Sequence, residues 1–205
     1  MRVALRIRPL IHKERHEGQI VQAFPGIPTG AVTIGGSEKT FTYDACFGQT
    51  SHQEEVFEQC VKNLVLGCFS GFNATVLAYG QTGSGKTWTM GSGYTFGLSE
   101  EDHGIIPRVI KTIFDEVEKR KSRVEFIIKC SFLEIYNEEL NDLLDGNALH
   151  LSGERNNKIN IREEKNGSIS VYGLREEKVE NAEELASCLD KGSNFRTTSQ
   201  TLMNS

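Results

Sequence analysis

The sequence predicts an α/β fold of the phosphate-loop type, and three adjoining features predict it. Gly80-Gln81-Thr82-Gly83-Ser84-Gly85-Lys86-Thr87 fits the pattern Gly-x4-Gly-Lys-Ser/Thr without a mismatch. Ala74-Thr75-Val76-Leu77-Ala78-Tyr79, just before it, is a short apolar run of buried-strand character. Lys86-Thr87-Trp88-Thr89-Met90, at its end, can open a helix. Strand, loop and helix in that order are the context the motif requires, whereas a Gly-rich turn without a ligand leaves both flanks unexplained.

The residue types follow from the chemistry. Gly80, Gly83 and Gly85 let the backbone wrap so that successive N–H groups, through Gln81, Thr82 and Ser84, point at phosphate oxygens. The start of the following helix adds its partial positive charge. Lys86 would reach the outer phosphates, and the Thr87 hydroxyl would ligate the Mg²⁺ that bridges them. The motif thus assigns a nucleoside triphosphate and a metal, but not the use made of the energy.

A chain of 205 residues accommodates one well-packed domain, 1–205, with little room for a second. Its 38% hydrophobic and 25% charged residues read as soluble and globular, and a formal net charge of −5 offers no global field for nucleic acid. Cys46, Cys60, Cys68, Cys130 and Cys188 are odd in number and widely spaced, which predicts reduced, mostly buried thiols in a cytosolic protein. His12 and His16 lack a third ligand and read as loop or surface residues. No stretch has the apolar core of a secretory signal or membrane-spanning length. Asn73-Ala74-Thr75 fits a glycosylation acceptor, but at the mouth of a buried strand it is noise.

Along the chain, Val3 to Arg8 alternates apolar and charged residues and stops at Pro9, a strand running into a loop. Ala31-Val32-Thr33-Ile34 and Thr40-Phe41-Thr42-Tyr43 suggest a small hairpin. Ser51 and Glu54 form a capping box before Val56, Phe57, Cys60, Val61, Leu64, Val65 and Cys68, which predicts one helix of about five turns. Gly91 to Gly97 and the acidic run Glu100-Glu101-Asp102 make a polar insertion. Helical spacing resumes from Ile105 to Val117, and the basic run Glu118-Lys119-Arg120-Lys121-Ser122-Arg123 reads as a solvated helix end rather than an anion site. Val124 to Phe132 alternates as a long strand, and Leu133 to Leu144 turns into a helix. Asn166-Gly167 marks a hairpin between Ile159–Ile161 and Ile169–Leu174. Asn181 with Glu184 caps a final helix that continues past Gly192.

These stretches resemble one family, the kinesin motor domain, in the family's order. Arg6-Ile7-Arg8-Pro9-Leu10 is similar to its first-strand motif; Phe41-Thr42-Tyr43-Asp44, Gly71 through Thr87, Gly104-Ile105-Ile106-Pro107-Arg108, Leu133-Glu134-Ile135-Tyr136-Asn137-Glu138 and Ile161-Arg162-Glu163 follow. The insertion before Gly104 and the Thr201-Leu202-Met203-Asn204-Ser205 ending look most like the chromokinesin-like branch.

The resemblance implies the kinesin motor fold, a central mixed sheet flanked by helices on both faces, and ATP hydrolysis with Mg²⁺ coupled to movement along microtubules. It places Arg6 and Pro9 on one side of the adenine and Trp88 on the other, where an indole face suits a base; the alternative for Trp88 is a core aromatic. It brings the hairpin region with Arg162, Lys165 and Arg175 toward acidic tubulin, although scattered basic residues there are usually just solvated. The implied setting is cytoplasm and cytoskeleton, with no membrane, no nucleic acid contact from this segment, and dimerisation through a coiled coil outside it. In the family the first switch motif begins where Asn204 and Ser205 stand, and the second switch lies later. The phosphate-loop strand there has two neighbours that follow the second switch, so the expectation is an amino-terminal part of a motor domain, unstable alone. Two other readings compete: a nucleotide-binding or tubulin-interaction piece without turnover, and a generic kinase or GTPase. The latter leaves Arg6-Ile7-Arg8-Pro9 and Leu133–Glu138 unexplained and lacks a guanine-reading Asn-Lys-x-Asp.

Overall fold

The computed structural model describes residues 1–14, 21–24, 30–34, 40–91, 99–145 and 159–203. The chain divides into two units, Met1–Gly91 with Leu98–Thr112 and Ser92–Gly97 with Ile113–Ser205. His16 and most of the polar insertion lie outside the described residues.

In the first unit the alternating stretch becomes β1 (Ala4–Arg6), shorter than its pattern. Its partner is not the next strand in sequence. Between them runs an antiparallel meander of β2 (Val21–Phe24), β3 (Gly30–Ile34) and β4 (Thr40–Tyr43), one strand more than the expected hairpin. Then β5 (Ala45–Phe47) pairs parallel with β1, setting Arg6 opposite Phe47. Every residue of β5 is buried, and Gly30 lies so close that an added Cβ would sit 2.3 Å from the Cys46 Cβ.

The expected five-turn helix is two helices, α1 (Gln53–Cys60) and α2 (Lys62–Cys68). Val61 separates them with φ −119° while its side chain stays 2% exposed. The capping box does not form: His52 is the N-cap and no side chain caps the helix. Ser51 is spent elsewhere, its N–H donating to Gly48 (3.2 Å) and its carbonyl accepting from Arg6 (3.3 Å).

Ala74–Tyr79 departs furthest from its pattern. It joins no ladder among the described residues, and Leu77 and Tyr79 are 84% and 96% exposed. An apolar run of this kind is buried by neighbours on both edges and both faces of a parallel sheet, and the described residues supply no neighbouring strand. The phosphate loop and α3 (Lys86–Met90) follow. A 3₁₀ turn at Glu100–Asp102 leads to α4 (Ile105–Arg120), which forms as expected and buries Ile105 and Ile110 of its apolar spacing together with Pro107, while Ile106, Val109, Ile113, Phe114 and Val117 are half-buried.

In the second unit Lys119 and Arg120 each pair with Glu116 at 2.8 Å and Lys121 pairs with Glu118, so the basic run is a solvated helix end. The long strand contracts to β6 (Ile128–Cys130), antiparallel to β11 (Glu177–Val179). The helix expected over Leu133–Leu144 is instead a hairpin, β7 (Leu133–Tyr136) and β8 (Glu139–Asp142). Its turn residues Asn137 and Glu138 have φ of 48° and 63°, the mirror-image turn whose twist matches paired strands. Glu138 and Glu139 read as helix formers, but a left-handed pair ends any helix.

The second hairpin, β9 (Asn160–Glu163) and β10 (Ile169–Tyr172), forms as expected. Asn166-Gly167 sits within a longer loop, closed by the Glu164 N–H on the Ser168 carbonyl at 2.8 Å. The cap of α5 (Ala182–Met203) also forms: the Glu184 N–H donates to Asn181 Oδ1 at 2.8 Å, and the Glu180 N–H donates to Glu184 Oε2 at 2.8 Å. Beneath it, Asp142 is 9% exposed and accepts from the Leu144 N–H (2.9 Å), the Asp145 N–H (3.3 Å) and the Arg175 N–H (2.7 Å). The five thiols are free, but only Cys46 is buried, which corrects the expectation of mostly buried cysteines.

Two stability changes follow. Glu138→Gly should stabilise the protein by about 1 kcal/mol in urea unfolding, because glycine carries no Cβ penalty at positive φ; a destabilised variant would exclude the left-handed turn. Asp142→Ala leaves the buried Leu144 N–H and the part-buried Arg175 N–H without their acceptor and should cost roughly 2–4 kcal/mol in the same assay. A loss below ~0.5 kcal/mol, the usual size at a surface site, would contradict that role.

Candidate functional site

The loop Gly80–Thr87 is built from backbone turns. Gly83 and Gly85 have φ of 80° and 97°, values that side-chain-bearing residues rarely adopt. At Gly80 a Cβ would come within 2.5 Å of Ser84 Oγ, so the loop closes only because that atom is absent. The Ser84 N–H donates to the Gln81 carbonyl at 3.1 Å, and Gly85, left-handed, hands the chain to α3. Lys86 folds back: its Nζ donates to the Gly80 carbonyl at 2.7 Å and the Gln81 carbonyl at 2.9 Å. Its charge is thus held inside the loop by two dipoles. Gln81, Thr82 and Thr87 are exposed, and the Thr87 hydroxyl makes no hydrogen bond among the described residues.

Trp88 lies at the surface, 51% exposed, rather than in the core. Pro9 is exposed and its carbonyl accepts from Arg8 Nη1 at 3.0 Å. Arg6 is aimed into the protein: Nη1 donates to Gln53 Oε1 (2.7 Å) and Thr89 Oγ1 (3.0 Å), and Nη2 to the Ser51 carbonyl (3.3 Å). Burial lowers the pKa of its guanidinium, partly countered by the charge of Glu55. The acceptors that Arg6 finds thus tie β1 to α1 and α3.

Two residues near the loop escaped the sequence reading. Arg8 Cβ lies 3.8 Å from where a Gly85 Cβ would be, and its guanidinium grips Glu14 with two bonds of 2.7 and 2.6 Å. Gln53 is 4% exposed; its Nε2 donates to the Trp88 carbonyl at 2.7 Å and the Asp102 carbonyl at 3.4 Å. A sequence signal for Gln53 existed: it sits three, four and seven residues before Val56, Phe57 and Cys60, on the apolar face of α1. No spacing rule announces Arg8 and Glu14. A cleft of about 500 Å³ opens beside the loop, walled by Leu5, Arg6, Val76, Tyr79, Lys86 and Thr89.

The family model of the kinesin motor domain matches residues 6–205. The chain belongs to the kinesin family. The mouse chromosome-associated kinesin KIF4 is 50% identical over 211 residues, covering 100% of this chain and 16% of that protein. Kinesin-related protein 8 of Dictyostelium discoideum is 45% identical over 207 residues, again covering all of this chain and 11% of that protein. Human kinesin-like protein KIF21B is 43% identical and is covered to 13%. This kinesin chain therefore spans only a sixth or less of the length of these curated relatives. A solved structure, described as that of a fast kinesin with implications for its ATPase mechanism and interactions with microtubules, superposes with a TM-score of 0.84 at 33% identity. It is matched over 100% of this chain and 55% of its own. The kinesin motor fold expected from the sequence is thereby shown, and the relatives of the KIF4 type accord with the chromokinesin-like endings of the sequence.

The Arg8 bond, with the Ile11 N–H at 3.1 Å, holds the Glu14 carboxyl of this kinesin down to about 2 from 4.5. Because the folded value lies below the unfolded one, the contribution of the pair is complete above the ordinary glutamate range and is lost as pH falls through about 2. Side-chain NMR titration should give Glu14 a midpoint near 2, returning toward 4.5 in Arg8→Ala; a wild-type midpoint near 4.5 would contradict the clamp.

Proposed function

We propose that residues 1–205 are the amino-terminal part of a microtubule motor ATPase domain that binds ATP with Mg²⁺. The observation that carries this reading is the closed loop Gly80–Thr87 with its internal Lys86, inside a chain matched to the kinesin motor domain from residue 6 to 205. On this reading the backbone N–H groups of the loop meet the phosphates, and Lys86 exchanges its carbonyl partners for phosphate oxygens. Thr87 would hold the Mg²⁺, which when bound neutralises phosphate charge. The Thr87 hydroxyl, exposed and without a hydrogen bond among the described residues, suits the metal, and the exposure of Gln81 and Thr82 leaves the loop backbone open to phosphate. Trp88 would stack on the base, with Pro9 at the opposite side and Arg6 anchoring the strand beneath. The groups that position the attacking water are assigned to switch segments beyond Ser205.

The partner in this reading is the microtubule, approached through the hairpin of Arg162 and Lys165 and through Arg175, in the cytoskeleton; a coiled coil outside these residues would make the dimer. No described helix is long and apolar enough to cross a membrane. The cleft beside Val76 and Tyr79 is where neighbouring strands of the complete motor domain would lie. The second reading, a nucleotide-binding piece without turnover, requires that the chain fold although Ala74–Tyr79 has no ladder partner among the described residues.

In the full-length protein Lys86→Ala should abolish tight Mg-ATP binding and microtubule-stimulated turnover, and unchanged Mg-ATP affinity by calorimetry would sink the phosphate-loop assignment. Trp88→Ala should weaken adenine nucleotides by roughly 1–3 kcal/mol and leave inorganic triphosphate unaffected. Tight Mg-ADP binding by the isolated 1–205 polypeptide, with folded circular dichroism, would favour the second reading.

A further inference from the structure

Gln53 is a polar side chain on the apolar face of α1, and the described structure uses its whole amide. The oxygen accepts from Arg6, and the two N–H bonds go to the carbonyls of Trp88 and Asp102. The orientation of the amide is fixed, because Arg6 has only donors and the two carbonyls only accept. Arg6 is fixed in turn by Thr89 and Ser51. Gln53 therefore joins four places in one unit: β1, the start of α1, the helix after the phosphate loop, and the acidic turn that closes the insertion.

The bond to Trp88 is unusual in kind. Trp88 belongs to a helix of only five residues, tied to its flanking glycines by two bonds of 2.9 Å, from the Thr89 N–H to the Gly85 carbonyl and from the Gly91 N–H to the Thr87 carbonyl. So short a helix holds no fixed direction by itself. A buried amide 2.7 Å from its third carbonyl supplies the direction, at a residue that is half exposed.

We propose that Gln53 is a positioning residue for the base side of the nucleotide site: it fixes the Trp88 main chain so that the indole stands where a base can stack, with Arg6 locking the amide. This rests on the nucleotide reading given above. It predicts that Gln53 acts on affinity for the base and not on affinity for the phosphates, which the loop holds through its own backbone and Lys86.

The test compares Gln53→Glu and Gln53→Leu in the full-length protein. Glutamate keeps an acceptor for Arg6 but sets a carboxylate oxygen against the Trp88 carbonyl; leucine keeps the size and removes every bond. By calorimetry Mg-ADP should bind about tenfold more weakly to both, as for one well-made buried hydrogen bond, while Mg-tripolyphosphate stays within about twofold of wild type. Amide hydrogen exchange should speed up at Thr89–Gly91 in both variants. An equal loss for the two ligands would make Gln53 a purely structural residue and overturn the proposal, as would unchanged Mg-ADP affinity in a wild type that binds. A wild type that binds no Mg-ADP, with Lys86→Ala indistinguishable from it, would overturn the nucleotide reading and this role together.

Discussion

A guanidinium taken out of water must be given oxygens, and the first unit is assembled around that demand at Arg6. The acceptors come from Ser51, Gln53 and Thr89, residues 45 to 83 positions away in sequence. Removing one of them leaves a partly buried charge short of partners, a larger penalty than the bond itself is worth. The Ser51 carbonyl serves Arg6, and its N–H, which a capping box with Glu54 would use, goes instead to the Gly48 carbonyl. The second unit repeats the principle with opposite sign, since Asp142 gathers N–H groups from its own loop and from Arg175.

In the phosphate loop the constraint is different. Three glycines give up side chains so that backbone dipoles can converge, and the convergence leaves carbonyls at Gly80 and Gln81 on which Lys86 rests. The ammonium is held near the place where a phosphate would need it. On the proposed nucleotide reading, an anion entering the loop would take Lys86 from these two carbonyls. Arg8 and Glu14 brace the neighbouring turn by a short bidentate pair that leaves Arg8 close to Gly85.

Ala74–Tyr79 shows how far a strand depends on what lies beside it. Its composition is that of a doubly covered strand, yet among the described residues it has no ladder and exposes Leu77 and Tyr79. Unpaired N–H and C=O groups there meet water, and the apolar side chains stay uncovered. On the proposed reading, the strands that would cover Ala74–Tyr79 come from elsewhere in the motor domain.

Much of this was legible in the residues. The phosphate loop, the α4 face, the Asn166-Gly167 hairpin and the Asn181–Glu184 cap each depend on contacts within a few positions, so sequence alone determined them. The reading failed where distance mattered. Leu133–Leu144 has helix-forming glutamates, but pairing between β7 and β8 outweighs propensity; the Ser51 N–H that a capping box would use turns back to Gly48, and α1 begins at Gln53. Gln53 lies on the apolar face of α1, and its spacing there does not say which carbonyls its amide will meet. What only the tertiary structure decided is which distant groups satisfy Arg6, Gln53 and Asp142. A hydrogen bond needs its partner at about 3 Å, and a sequence records neighbours along the chain, not across it.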